Sequence, residues 1–181
     1  MLSVKTFWRQ LVDDAQELAS SNSADPRVRT ALKSDGFQVL VLQRLRERAR
    51  HYKVPVMNHL LRRFTSVIYG LELGNGITVG DGVSFVHPIA VVVGGSAQVG
   101  ARVRFMGNNT VGTAKDNGSP IIEDDVVVGA GARILGPIRI GRGAVIGANS
   151  VVLNDVPAGA VVTGVPGVVH AAKPRGISRS S

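Results

Sequence analysis

Between residues 126 and 154 the chain reads VVVGAGARILGPIRIGRGAVIGANSVVLN, and an aliphatic residue returns every six positions at Val128, Ile134, Ile140, Ile146 and Val152. Small or turn-forming residues, Gly129, Ala130, Gly141, Gly143, Gly147 and Ala148, follow in fixed register. A helical period of about 3.6 does not generate a spacing of six with glycine in mid-turn, whereas a solenoid of short parallel strands does. Each strand then contributes one inward aliphatic side chain, and each glycine a corner at which φ can be positive. The expected fold is therefore mainly β, a parallel β-helix of hexapeptide repeats. The register begins at Ile77-Thr78-Val79-Gly80, runs through Phe85, slips by two residues and resumes at Val93, Val99, Phe105 and Val111. A second slip falls on residues 113–120, TAKDNGSP, after which Ile122 and Val128 restore the period. Slips mark corners that leave the prism. The second should project as a loop, and loops on a regular scaffold are where function concentrates.

Upstream the pattern changes to helical spacing. Gly36 is the one glycine before residue 70, and the others run from Gly70 to Gly176, so two kinds of backbone meet near Gly70. Ser3 can cap a helix over about residues 4–19 in which Trp8, Leu11, Ala15 and Leu18 share a side. After the polar break SSNSA, Asp25-Pro26 opens a short helix to Lys33. A longer helix is expected over residues 37–52, with Phe37, Leu40, Leu42, Leu45, Ala49 and Tyr52 on its apolar side. Arg44, Arg46, Arg48 and Arg50 are expected on a solvated or phosphate-facing surface. Pro55 begins a last helix whose Met57, Leu60, Leu61, Phe64 and Ile68 form the stripe expected to be buried. Together these helices should cover the first coil of the solenoid, whose strand edges would otherwise be bare. The expected organisation is a helical region over residues 1–70, a β-helix over 71–168 and a flexible tail over 169–181.

Composition narrows the chemistry. With 181 residues and 44 % hydrophobic content the chain is long enough for a sizeable core. No apolar run reaches the roughly 18 residues of a membrane helix, and no signal-peptide pattern opens the chain, so membrane insertion is not expected and a cytoplasmic location is the default. The absence of cysteine removes disulfides, zinc–thiolate sites and a thiol nucleophile. A formal charge of +8 suits a polyanion, but aromatics at 4 % are too few for base-stacking platforms, so nucleic acid is not the expected partner. A phosphorylated cofactor accounts for the charge equally well.

The string GAGARILGPIRIGRGAVIGANSVVLNDVPAGAVVTGVPG resembles the C-terminal half of bacterial serine acetyltransferases and related left-handed parallel β-helix acyltransferases. The likeness extends over about residues 25–168 and includes the Asp25-Pro26 helix entry. It implies a left-handed coil, a homotrimer, and acetyl-coenzyme A as co-substrate in a groove between neighbouring β-helices. His87, in FVHPIAVVVGG, falls at the family's general-base position. Imidazole is suited to that role because its protonation changes near neutral pH. The family's orienting carboxylate lies fifteen residues earlier and corresponds to Glu72, where those enzymes carry Asp. Their positions lining the pantetheine arm match Gly112, Thr113, Ala130 and Ala148, which also satisfy plain turn geometry. The acceptor-binding positions match Asp25 and Ser119.

Two departures matter. The family usually has Asp immediately before the catalytic His, where this chain has Val86, and an Arg-His-Pro in the projecting loop, where it has Gly118-Ser119-Pro120. Groups that hold a zwitterionic amino acid are thus replaced. The expected function is acetyl-coenzyme-A-dependent O-acetylation of a hydroxyl on a sugar or polysaccharide precursor. L-Serine is expected to be a poor acceptor. The alternatives are serine O-acetylation and a non-catalytic trimeric scaffold. No metal is expected: a zinc hydratase on such a solenoid needs three converging histidines, and the repeat region holds only His87 and His170.

Overall fold

The computed structural model describes residues 4–21, 32–114 and 118–170. Three helices precede the repeats: α1 (Val4–Ser21), α2 (Asp35–His51) and α3 (Pro55–Tyr69). The Ser34 hydroxyl caps α2 by accepting the Phe37 N–H at 3.2 Å, while Asp35 lies in its first turn and Arg48, Arg50 and His51 in its last, each complementing the helix dipole. Pro55 starts α3, and Gly70 ends it in the left-handed region at φ 57°. The helix expected from Pro26 to Lys33 lies mostly outside the described residues, as do loop residues 115–117 and the tail beyond residue 170. No described helix is long and apolar enough to cross a membrane.

The repeats wind into a three-faced parallel β-helix. Its first face stacks β1 (Glu72–Leu73), β4 (Val92–Val93), β7 (Thr110–Gly112), β10 (Arg133–Leu135) and β13 (Val151–Val152). The second stacks β2 (Thr78–Val79), β5 (Gln98–Val99), β8 (Ile121–Ile122) and β11 (Arg139–Ile140). The third stacks β3 (Ser84–Phe85), β6 (Arg104–Phe105), β9 (Val127–Val128), β12 (Val145–Ile146) and β14 (Val161–Thr163). Against β14 lies β15 (Val168–His170), which is antiparallel to it. The second residue of each two-residue strand points inward. Val128, Ile134, Ile140, Ile146 and Val152 are all at most 3 % exposed, and Phe85 stacks on Phe105 with centroids 5.4 Å apart.

Bonds of the parallel ladder run both ways between coils: Glu72, Gly80 and Ser84 donate to the carbonyls of Val91 at 2.8 Å, Val99 at 2.8 Å and Val103 at 2.9 Å, while Arg102 donates back to that of Asp81 at 2.9 Å. Groups of the first coil that point away from the stack have no coil to pair with, and a buried carbonyl without a donor is costly. Arginines supply the donors. Arg44 donates to the carbonyls of Val79 and Gly80, both at 2.8 Å, Arg46 to that of Leu73 at 2.9 Å, and Arg50 to that of Asn75. Asp14 on α1 balances the charge, pairing with Arg44 at 3.1 Å and accepting the Gly82 N–H at 2.7 Å. Burial opposes the charge on Arg44, but the hydrogen bond and charge of Asp14, with Glu47 and Asp81, outweigh it and hold the guanidinium above its ordinary pKa. Arg46 is pushed down to about 10, first by burial and then by Arg50 and Arg62.

This overturns two expectations. Arg44 and Arg46 do not lie on a solvated or phosphate-facing surface, because the first-coil carbonyls of Val79, Gly80 and Leu73 take their donors from these side chains; they are 2 % and 0 % exposed. The stripe on α3 is not buried either. Met57, Leu60, Phe64 and Ile68 are about half exposed, because α3 packs on α2 and β1 through the adjoining side, where Thr65 is buried.

Candidate active site

His87 follows β3 at the corner joining the third face to the first, where two additional residues loosen the turn. It is exposed, and so is Val86 before it. The next coil supports it from below: a Cβ at Gly107 would lie 2.8 Å from the His87 carbonyl oxygen and 3.1 Å from its Cβ, and φ there is 123°, so this position requires glycine. Ala130 and Ala148 occupy the same corner further along the stack, both exposed, with the Asn149 N–H donating to the Ala130 carbonyl at 2.8 Å. Asn109 fastens the corner. Its side chain is fully buried, accepting the Gly107 N–H at 3.0 Å and donating to the Gly129 carbonyl at 2.7 Å. Sequence reading passed over it because Gly107-Asn108-Asn109 looks like a turn; its signal was a polar residue at an inward position of the register.

Gly112, Thr113 and Ser119 lie at the opposite edge of the first face, where the chain turns towards the second. No atom comes within 4 Å of a Cβ built on Gly112, so the backbone there is open to close approach, and Thr113 is exposed. Ser119 stitches the projecting loop to the coil above: its hydroxyl accepts the Ser96 N–H at 3.0 Å and lies 3.3 Å from the Ser96 hydroxyl. Glu72, exposed on β1 and paired in register with Val92, stands on the face between the two edges. Among the described residues, no hydrogen bond or ion pair joins Glu72 to His87. Asp25 lies outside the described residues. The predicted residues thus form two sets on two edges, His87 with Ala130 and Ala148, and Gly112 with Thr113 and Ser119. An apolar cavity of about 600 Å³ lies elsewhere, between α1 and α2, lined by residues such as Trp8, Leu11, Phe37 and Leu45. No group of His, Asp or Glu among the described residues converges as a metal site.

The hexapeptide core has counterparts in known proteins. The family model described as bacterial transferase hexapeptide (six repeats) matches residues 119–154. A serine acetyltransferase of Bacillus licheniformis is 34% identical over 171 residues, which cover 90% of this chain and 77% of the relative. The chain belongs to the serine acetyltransferase family. A second family member, from Synechococcus elongatus, is 39% identical over 152 residues, covering 80% of this chain; the match spans 62% of that relative's length. A solved serine acetyltransferase in complex with CoA superposes with a TM-score of 0.86 at 28% identity, over 92% of this chain and 70% of that one.

Proposed function

We propose that this chain is an acetyl-coenzyme-A-dependent O-acetyltransferase that acts on the hydroxyl of L-serine with His87 as general base. The observation that carries the reading is an exposed imidazole on the loosened corner of a β-helix whose relatives, by name, acetylate serine. A thioester is already activated, so the chemistry needs only deprotonation and oxyanion stabilisation. The acceptor oxygen attacks the thioester carbonyl as its proton passes to His87. The tetrahedral intermediate then collapses, expelling coenzyme A as a thiolate that takes up a proton. Glu72 is the proposed orienting carboxylate and requires the His87 side chain to turn towards it. The two edges bear on the donor: Ala130 and Ala148 on one chain, and Gly112 and Thr113 on the next, would wall one groove for the pantetheine arm if three copies assemble around an axis. Asp25 and Ser119 are the proposed acceptor contacts.

A saccharide acceptor, expected from the sequence, finds no support in the relatives described above. It is kept as the second reading on one observation, that apolar Val86 and the already bonded Ser119 hydroxyl offer an amino acid little. Coenzyme A release with L-serine and with a panel of sugars decides between them. Wild-type protein is expected to elute and scatter as a trimer and to turn over L-serine. His87→Ala is expected to lose about 10²- to 10⁴-fold in kcat with its fold intact. Wild-type turnover by that variant would remove His87 from the mechanism, and a monomeric mass would remove the shared groove.

A further inference from the structure

Ser84 and Arg104 are direct cross-strand partners on β3 and β6. Each is followed by a phenylalanine in the core, Phe85 at 1 % and Phe105 at 0 % exposure, so by strand alternation both project from the outer side of the third face. Their polar atoms are unsatisfied. The Ser84 hydroxyl belongs to a residue only 2 % exposed and has no hydrogen-bond partner, and Nε of half-buried Arg104 is enclosed and equally unpartnered. Among the described residues the Arg104 guanidinium makes no ion pair, whereas the neighbouring Arg102, Arg139 and Arg142 are paired with Asp125, Glu123 and Asp124. Buried donors are satisfied as a rule, and two adjacent exceptions on one strand pair point to a missing acceptor.

Their position gives that acceptor a role. His87 lies three residues beyond Ser84, just past the bend that ends β3, and Gly107, the residue stacked beneath His87, lies the same three residues beyond Arg104. Ser84 and Arg104 thus sit on the strand pair that leads into the corner of the candidate base. A guanidinium offers a planar fork of donors that matches a carboxylate with two parallel bonds. We propose that Arg104, with Ser84 beside it, is the subsite for the carboxylate of a hydroxy-acid acceptor. The proposal rests on acetyl transfer at His87 and names the charge by which the acceptor is recognised. It also supplies, from the third face, a guanidinium where the projecting loop has Gly118-Ser119 in place of the family's Arg-His.

The test is Arg104→Gln in the full-length chain, with Arg104→Lys as a second variant that keeps the charge and removes the fork. Kinetics are read with L-serine and with L-serinamide, which keeps the hydroxyl but lacks the carboxylate, and binding of 3-hydroxypropanoate is measured by calorimetry. For Arg104→Gln, KM for L-serine is expected to rise about 10- to 100-fold, with little change in kcat, in KM for acetyl-coenzyme A or in KM for L-serinamide; Arg104→Lys should fall between. Affinity for 3-hydroxypropanoate should drop by the same factor. An unchanged KM for L-serine, or an equal rise for L-serinamide, overturns the subsite. Transfer to neutral hydroxyls with no binding of either carboxylate overturns it while leaving the transferase reading in place. Arg104-dependent binding of 3-hydroxypropanoate by a chain that transfers no acetyl group upholds the subsite and overturns the transferase reading.

Discussion

In the β-helix the interior is mainly aliphatic from Leu73 to Val162, with two stacked phenylalanines near the top and polar Asn109 and Ser150 along one corner; where the helices meet the first coil, the buried side chains include Asp14, Gln43, Arg44 and Arg46. The same chain uses apolar burial within its repeats and charged donors at its junction. The difference follows from the backbone. Inside the stack every coil satisfies the next, so side chains need only fill space. At the first coil the carbonyls face a helix that has no N–H groups to spare, and side chains must complete the hydrogen bonding. One region is limited by volume and the other by polar satisfaction.

Substitutions in the two regions should therefore fail for different reasons. Arg44→Ala leaves Asp14 charged, buried and unpaired, and two coil carbonyls without donors. A loss of about 3–5 kcal/mol is expected in urea denaturation, and replacing Asp14 and Arg44 together by apolar residues should recover part of it. A loss below about 1 kcal/mol would show that the junction is held by its apolar contacts instead. Ile140→Ala removes volume from a fully buried position and should cost about 2–5 kcal/mol, scaling with the cavity that remains. No paired second substitution that merely balances charge should rescue it. Phe64→Ser tests the outward side of α3: a half-exposed ring should lose no more than about 0.5 kcal/mol in the same experiment. A loss of several kcal/mol would restore the buried stripe read from the sequence.

The smallest effect is expected on the outer surface of the coils. Arg139 and Arg142 hold Glu123 below the usual carboxylate pKa, mainly through the Arg139 hydrogen bond, and Arg102 does the same for Asp125. Because these folded-state values are depressed, the stability they contribute is present above the unfolded value of about 4 and is lost as pH falls through the lower folded values. Glu123→Gln should therefore flatten the acid limb of a stability–pH curve slightly, lowering stability a little near neutrality and leaving it unchanged at the acid end. A steeper acid limb in the variant would contradict the assignment.

The solenoid was legible because its constraint is local and periodic: a residue every six positions must point inward, and Val128 through Val152 do so. Helix existence was legible from apolar spacing and from Pro55 and Gly70 at the ends of the last helix. Helix facing was not. It is set by what the first coil leaves unsatisfied, and a reading that assigns arginine to solvent cannot see the unpaired carbonyls of a strand edge. For the site, the slip in register marked the His87 corner, since a departure from a strict period is as visible as the period. Side-chain partnerships were less accessible. Glu72 lies on the neighbouring face with no bond to His87 among the described residues, Ser119 is bonded to Ser96, and Asn109 hid among turn residues.

The open ends of the stack have one more consequence. Each end of a parallel prism is a set of strand edges with unpaired N–H and C=O groups, so bare ends would let copies join head to tail into an open fibre, the growth mode of a heterologous contact that never closes. Arg44, Arg46 and Arg50 occupy carbonyls of the first coil, and β15 reverses direction across part of the other end. The basic helix that fastens the cap is thus also a terminator, and it makes the length of the stack a property of one chain.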